Sequence, residues 1–177
     1  MSLENAKRNL EEFGKELNLE GLEFDENNTC ILGIDDEFSL HITYEPNSKR
    51  LYLYSPLLDG LPRDDQTKLM LYEALLEGSM LGGQMAGGGV GVAVKEELIL
   101  IHCTIDMEHA VSSALRAFAP LFVETVEKWR KICKETSEGR APAPSKQLTQ
   151  SATPGQQSGK PPQQGGKPGQ QPGFIKI

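Results

Sequence analysis

Residues 64–81, DDQTKLMLYEALLEGSML, most limit how this chain can fold, because as a helix they are apolar on two sides. At about 100° per residue, Leu69, Tyr72, Leu76 and Met80 form one stripe, while Met70, Leu71, Ala74, Leu75 and Leu81 spread across the opposite side. Two narrow polar strips separate them, one carrying Glu73 and Glu77, the other Lys68 and Ser79. Such a helix has to bury itself against two apolar bodies. One can be the chain's own sheet. The second is either a further part of a larger monomeric core or another copy of the protein, packed across a twofold axis. The rest of the chain supplies few elements to cover a second face, which favours self-association, and either stripe can face the twin.

The supply of elements is limited because the chain changes character near residue 136. Over residues 136–177, 7 Pro, 7 Gly and 8 Gln fill 22 of 42 positions and apolar periodicity vanishes, the composition of a disordered tail. Residues 1–135 suffice for one domain with one core. Charge divides at the same place: five Lys and Arg against Glu138 give the tail +4, so the overall −7 leaves −11 on residues 1–135. An acidic domain disfavours nucleic acid and suits basic partners. Cys30, Cys103 and Cys133 lie far apart without a CxxC spacing, which argues against a disulfide framework or a zinc knuckle and for a reducing cytoplasm. The opening MSLENAKRNLEEF lacks the apolar region of a signal peptide, and no apolar run approaches the roughly 18 residues of a membrane span, so neither export nor membrane insertion is expected.

The remaining elements follow from periodicity. Ser2 can cap a first helix whose Leu3, Ala6, Leu10, Phe13 and Leu17 share one face. Residues 29–34 read as a short strand, and residues 37–45 alternate cleanly, with Phe38, Leu40, Ile42 and Tyr44 opposed to Ser39, His41 and Thr43. After a Pro46-Asn47-Ser48 turn, residues 50–55 form a third strand, and residues 57–62 a connection. Asp64 or Asp65 starts the two-sided helix and Gly82 and Gly83 end it. Residues 90–94 and 98–103 pair as a hairpin around a KEE turn. Asp106 can cap a last helix whose stripe from Met107 to Cys133 keeps its phase across Pro120, so the proline kinks rather than ends it. The order αβββαββα predicts an α+β fold, a twisted antiparallel sheet with three helices on one face.

Reactive chemistry finds little support. The glycine-rich GGQMAGGGVG of residues 82–91 leaves a helix and enters a strand, the reverse of a phosphate loop, and lacks a GK[ST] ending; it reads as a flexible connection. His41, His102 and His109 sit on different elements without metal-ligand spacing, and His41 and His102 read as strand residues facing solvent. No G-x-S-x-G occurs, and Cys103 lies inside a strand. The carboxylate pairs Asp35 and Asp36, Asp64 and Asp65, Glu96 and Glu97 fall at turns and helix starts. No catalytic residue, metal or cofactor is therefore expected. Apolar surface is in surplus, and Met70, Met80, Met85 and Met107 serve either as core filler or as adaptable partner contacts. In the tail, GKP recurs at Gly159 and Gly166, PGQQ at Pro154 and Pro168, without PxxP. Its last residues, Phe174-Ile175-Lys176-Ile177, are apolar again and could add as a short strand to a free sheet edge or groove.

The order of elements and several phrases resemble the class I type III secretion chaperones, the CesT and SycE group. The phrases are IDDEFSLHITYE, RLYLYSPLLDGLP, LMLYEALLEGSMLGG, and VGVAVKEELILIHC leading into DMEHAVSSALRAFAPLFVETVEKW. Their order, the acidic character and the size carry the likeness, and the tail departs from that family's compact ending. The resemblance implies a homodimer in the bacterial cytoplasm, with the two-sided helix (Leu69, Tyr72, Leu76, Met80) and the following strand (Val92) at its interface. It also implies no enzymatic activity: the N-terminal segment of a secreted effector is held in extended form, kept soluble and presented to the export apparatus. Candidate effector contacts are Leu10, Phe13 and Leu17 on the first helix and Ile31, Leu40, Ile42, Leu51 and Leu53 on the sheet, which a plain core would also use. A dimeric scaffold binding folded partners and a small-molecule enzyme of unfamiliar type stand as the other readings.

Overall fold

The fold is built around one five-stranded antiparallel sheet whose inner face is a continuous apolar layer. The computed structural model describes residues 1–19 and 21–139; the expectations for the tail beyond residue 139 lie outside the described residues. In chain order the elements are α1 (Ser2–Glu16), β1 (Thr29–Ile34), β2 (Phe38–Glu45), β3 (Arg50–Asp59), α2 (Asp65–Ser79), a short 3-10 turn (Met80–Gly82), β4 (Gly89–Ala93), β5 (Leu98–Asp106) and α3 (Ala114–Ser137). The strands lie in the order β1-β2-β3-β5-β4. The three helices and the strand count are those expected from periodicity.

Alternation places Leu40 and Ile42 of β2, Leu51 and Leu53 of β3, and Ile99, Ile101 and Cys103 of β5 on the buried face. Register lines up Ile42 with Leu53 and Leu53 with Cys103, so apolar side chains stack in rows across the sheet. Helix α3 lies over this layer, in contact with β3, β5, α1 and α2. Its Leu115, Phe122, Val126, Trp129 and Cys133 are buried, and the helix runs on through Pro120 as its apolar phase requires.

Three local expectations are corrected. Ser2 does not cap α1: Met1 occupies the cap position, and the Ser2 hydroxyl shares a 2.7 Å hydrogen bond with the Tyr44 hydroxyl. Strand β3 runs on to Asp59, past Pro56, because a register shift between Pro56 and Leu58 absorbs the missing N–H. Asp106 ends β5 instead of capping α3; its carboxylate accepts a hydrogen bond from Glu108 N at 2.9 Å and faces His109 Nδ1 at 2.9 Å. Helix α3 therefore starts at Ala114, and it continues to Ser137 with Thr136 buried.

A polar hub joins α1 to the approach to α3. Asn9 is fully buried; its Nδ2 donates to the carbonyls of Asn5 and Val111, each at 3.1 Å, and its Oδ1 accepts from Leu115 N at 2.9 Å. Asn5 Nδ2 donates to the carbonyls of Met107 and Ala110. With the amide so satisfied, the Leu115 N–H in the first turn of α3 has its partner, and α1 is tied to the approach to α3.

The glycine-rich stretch is a packed element, not a loose connection. Met85 is fully buried, Trp129 Nε1 donates to Gln84 O at 2.8 Å, and a Cβ on Gly88 would overlap the His102 carbonyl. Upstream, a Cβ on Gly78 would overlap the Trp129 ring and lie 3.0 Å from Met85 Cε, so α2 and α3 touch here only because residue 78 has no side chain. Gly78→Ala is expected to lower stability by about 1–3 kcal/mol by overpacking, whereas Gly33→Ala, where nothing lies within 4 Å, should stay within about 0.5 kcal/mol; denaturant unfolding of the two variants checks the contrast.

Candidate interaction surfaces

Helix α2 shows which of its two stripes belongs to its own core. Asp64 caps it, Oδ2 accepting from Thr67 N at 2.7 Å, and that bond holds the carboxyl below its ordinary range. Leu71, Leu75 and Gly78 are buried in the core. The other stripe faces solvent: Leu69, Leu76 and Met80 are 57%, 68% and 69% exposed, with Tyr72 half-buried among them. The apolar surface continues beyond the helix. Leu81 is fully exposed and held at φ 53° and ψ 21°, the left-handed region that leucine rarely adopts. Strand β4 lies beside α2, and Val92 and Val94 are exposed. Among the described residues β4 pairs only with β5, so its other edge is open. Leu81 and Val94 escaped the sequence reading: helical phase put Leu81 on the opposite stripe, and the change of backbone at residue 80 turns it outward.

A second surface lies at the other end of the sheet. Strand β1 pairs only with β2 among the described residues, leaving its outer edge open. Ile31 stands exposed on its outer face, and Leu32 and Ile34 are half-buried on the inner one. A groove of about 870 Å³ runs between α1 and residues 18–19 and 21–24, with Leu10, Leu19, Leu22 and Phe24 among its apolar lining and Lys7, Glu11, Lys15 and Glu23 beside them. Lys15 Nζ sits 2.9 Å from Glu11 Oε1 and 3.2 Å from Glu12 Oε1, and hydrogen bonds to both raise its pKa.

The expected effector contacts divide accordingly. Leu40, Ile42, Leu51 and Leu53 are completely buried, and Leu10 and Phe13 nearly so; in the folded chain these six serve the core, the use that the sequence reading also allowed them. The physical reason is that β2 and β3 are interior strands whose apolar face lies under the helices, and the α1 stripe faces that same layer. Leu17, at the C-cap of α1, and Ile31, on the edge strand, remain accessible, and Leu10 reaches the bottom of the groove.

Titratable groups near the sheet are structural. His41 Nε2 lies 2.9 Å from the Ser39 hydroxyl, and the ring stacks on Tyr54 at 4.8 Å between centroids. Tyr54 stands in register with His41 on one side and His102 on the other, so it separates the two histidines. Burial pushes the thiols of Cys103 and Cys133 up to about 12. Among the described residues no three His, Cys, Asp or Glu side chains gather as a metal site, and no helix is long and apolar enough to cross a membrane.

Against this geometry, the sequence profile of the Tir chaperone protein (CesT) family matches residues 8–130, from within α1 to the Trp129-Arg130 end of the core. The chain belongs to the CesT family. Among solved structures, this CesT protein is similar to a chain of the HopA1–SchA chaperone–effector complex, with 25% identity and a TM-score of 0.57 over 72% of this chain and 94% of that one. It is also similar to a chain of the ExsC–ExsE complex (16%, 0.59, 78% and 95%). A third likeness is to a chain of the complex of the Yersinia pestis type III secretion chaperone SycH with a stable fragment of YscM2 (18%, 0.53, 70% and 98%). The last two show the fold. No curated protein sequence matches the chain.

The pKa values of His41 and His109 in this CesT protein are displaced in opposite directions. Burial lowers the pKa of His41 below the usual value near 6.5, while the Asp106 carboxylate raises that of His109 above it. The unfolded chain therefore takes up a proton at position 41 first, so acidification through pH 6.5 removes stability there. The contribution of His109 is present below its unfolded pKa and is lost as pH rises through the raised folded value. NMR titration of the two rings checks the order, and reversal would contradict it.

Proposed function

We propose that this CesT protein is a type III secretion chaperone of the bacterial cytoplasm. It binds the N-terminal segment of a secreted effector in extended form, keeps it soluble and competent for secretion, and delivers it to the export apparatus. Within the family its phrases most resemble the SycE-like chaperone Slc. Support for a cargo site comes from the open β1 edge beside the groove along α1: main-chain hydrogen bonds can extend the sheet while alternate side chains meet Ile31, Leu17 and the groove's apolar lining. Recognition by backbone needs no fixed cargo sequence and no chemistry. Binding has to offset the ordering of the cargo segment, which argues for a long, wrapped contact.

The chaperone acts as a homodimer joined through Leu69, Tyr72, Leu76 and Met80 of α2 with Val92 of β4, extended by Leu81 and Val94. The support is the one observation that α2 is apolar on a face its own core does not use. A helix face shared with its own twin is self-complementary, so each substitution there acts twice. Leu76→Asp and Met80→Asp are each expected to raise the dimer dissociation constant at least about 100-fold, near 3 kcal/mol, while leaving the monomer fold intact because both side chains point to solvent; sedimentation equilibrium and circular dichroism check the two halves.

Coexpression of the full chain with N-terminal segments of secreted proteins from the same bacterium tests the cargo reading. A segment that is soluble only in the complex, and that trypsin still cuts while bound, supports an extended cargo. A compact, protease-resistant partner would favour a scaffold instead. Ile31→Asp should weaken cargo binding about tenfold (about 1.4 kcal/mol) without changing the melting temperature by more than a few degrees.

A further inference from the structure

We propose that the cargo strand selected by the β1 edge is basic: it alternates apolar and polar residues along β1 and carries lysine or arginine beyond each end, where the cations meet Asp35 and Asp36 on one side and Glu23, Asp25 and Glu26 on the other. This rests on the cargo-site reading above and names the chemistry of what that site takes. The negative charge of the chain is concentrated in this region. Residues 16–48, from the end of α1 through β1 and β2, hold nine Asp and Glu and neither a Lys nor an Arg, leaving 16 acids against 18 Lys and Arg over the rest of the chain. The fold then brings those acids to the two ends of one open edge. Asp25 and Glu26 lie at the turn that leads into β1, Asp35 and Asp36 at the turn that leaves it, and all four are exposed. The strand between them has six residues, a span of about 20 Å.

These charges are available to a partner. Among the described residues, Glu23, Glu26, Asp35 and Asp36 form no ion pair. The lysines of the groove, by contrast, are already matched: Lys15 by Glu11 and Glu12, and Lys7 by Glu4 at 3.9 Å. Asp25 Oδ1 accepts from Asn27 N at 2.9 Å and Thr29 N at 2.8 Å, which leaves the other carboxylate oxygen for a cation. Apolar side chains of the cargo would meet half-buried Leu32 and Ile34 on the inner side of the edge, while the rim charges govern encounter and partner choice. The same carboxylates act against a wrong partner. Antiparallel pairing of two β1 edges would set Asp35 and Asp36 of one copy beside Asp25 and Glu26 of the other, so like charge keeps the edge from pairing with itself. An acidic strand meets that same repulsion, and a basic one relieves it.

The test uses the full chain and three fluorescent peptides that share a Ser-Ile-Thr-Ile-Ser-Ile core, flanked at both ends by pairs of lysines, of serines or of glutamates. The lysine-flanked peptide should bind about tenfold more tightly than the serine-flanked one, and the glutamate-flanked peptide more weakly than either. Raising the salt from about 50 to about 500 mM should shrink the difference to within about twofold. At saturation the lysine-flanked peptide should slow amide exchange in residues 29–34 at least about threefold. An E26Q/D35N/D36N variant should lose most of the preference and keep its affinity for the serine-flanked peptide. Asparagine tolerates the left-handed backbone that residues 35 and 36 adopt, at φ 48° and 56°, so the melting temperature should hold. Removing the same charge elsewhere, with E73Q/E96Q/E124Q, should leave the preference intact. Equal affinities for the three peptides, together with slowed exchange in residues 29–34, sink the basic specificity and keep the cargo edge. A preference that survives E26Q/D35N/D36N, or that E73Q/E96Q/E124Q abolishes equally, also overturns the proposal. Binding of no peptide, or protection confined to β4, counts against the cargo edge itself and takes the proposal with it.

Discussion

The contact between Gly78 of α2 and the Trp129 ring of α3 is the constraint on which the arrangement of this molecule depends. By allowing the two helices to touch, it commits the Leu71 and Leu75 side of α2 to the core and turns Leu69, Leu76 and Met80 outward. The same indole donates to the carbonyl of Gln84, fixing the glycine-rich segment, and that segment delivers β4 to the sheet edge beside α2. One close packing contact thus builds an apolar surface made of a helix face and a strand. It leaves Leu69, Leu76, Met80, Leu81, Val92 and Val94 exposed.

The opposite end of the sheet follows a different logic. There α1 is anchored by the amides of Asn5 and Asn9, which hold it over the inner layer and leave β1 with an open edge and a neighbouring groove. A long unpaired edge is a hazard in a small domain, because it templates pairing with other chains. Here Gly33, Asp35 and Asp36 follow Ile31 closely and limit the apolar length of the edge. In the proposed function the same openness serves recognition by main-chain hydrogen bonds, with affinity gathered over a long cargo instead of a deep pocket.

Much of this was legible in the sequence. Two-period alternation identified β2, a turn between two apolar runs identified the β4–β5 hairpin, and helical phase revealed that α2 is two-sided and that α3 survives Pro120. Phase alone could not choose between the stripes of α2, because the decision lies in Gly78 meeting a tryptophan about fifty residues away. Which of the candidate effector contacts are exposed was hidden for a related reason: Leu40, Ile42, Leu51 and Leu53 alternate as Cys30, Leu32 and Ile34 do, and only the strand order separates interior from edge. Pro56 hid the length of β3, since a bulge that rescues a proline has no local signature. Leu81 was placed on the wrong side because a single left-handed residue breaks the helical phase at that point.

The central claim is that the outward face of α2 is covered by a second copy while an extended cargo binds elsewhere on each fold. Native mass measurement of the complex isolated with a secreted protein tests it most directly. The account requires two copies of the 19.4 kDa chain joined to cargo, surviving dilution as a unit. A single copy bound to cargo, with no dimer at any concentration, would contradict it.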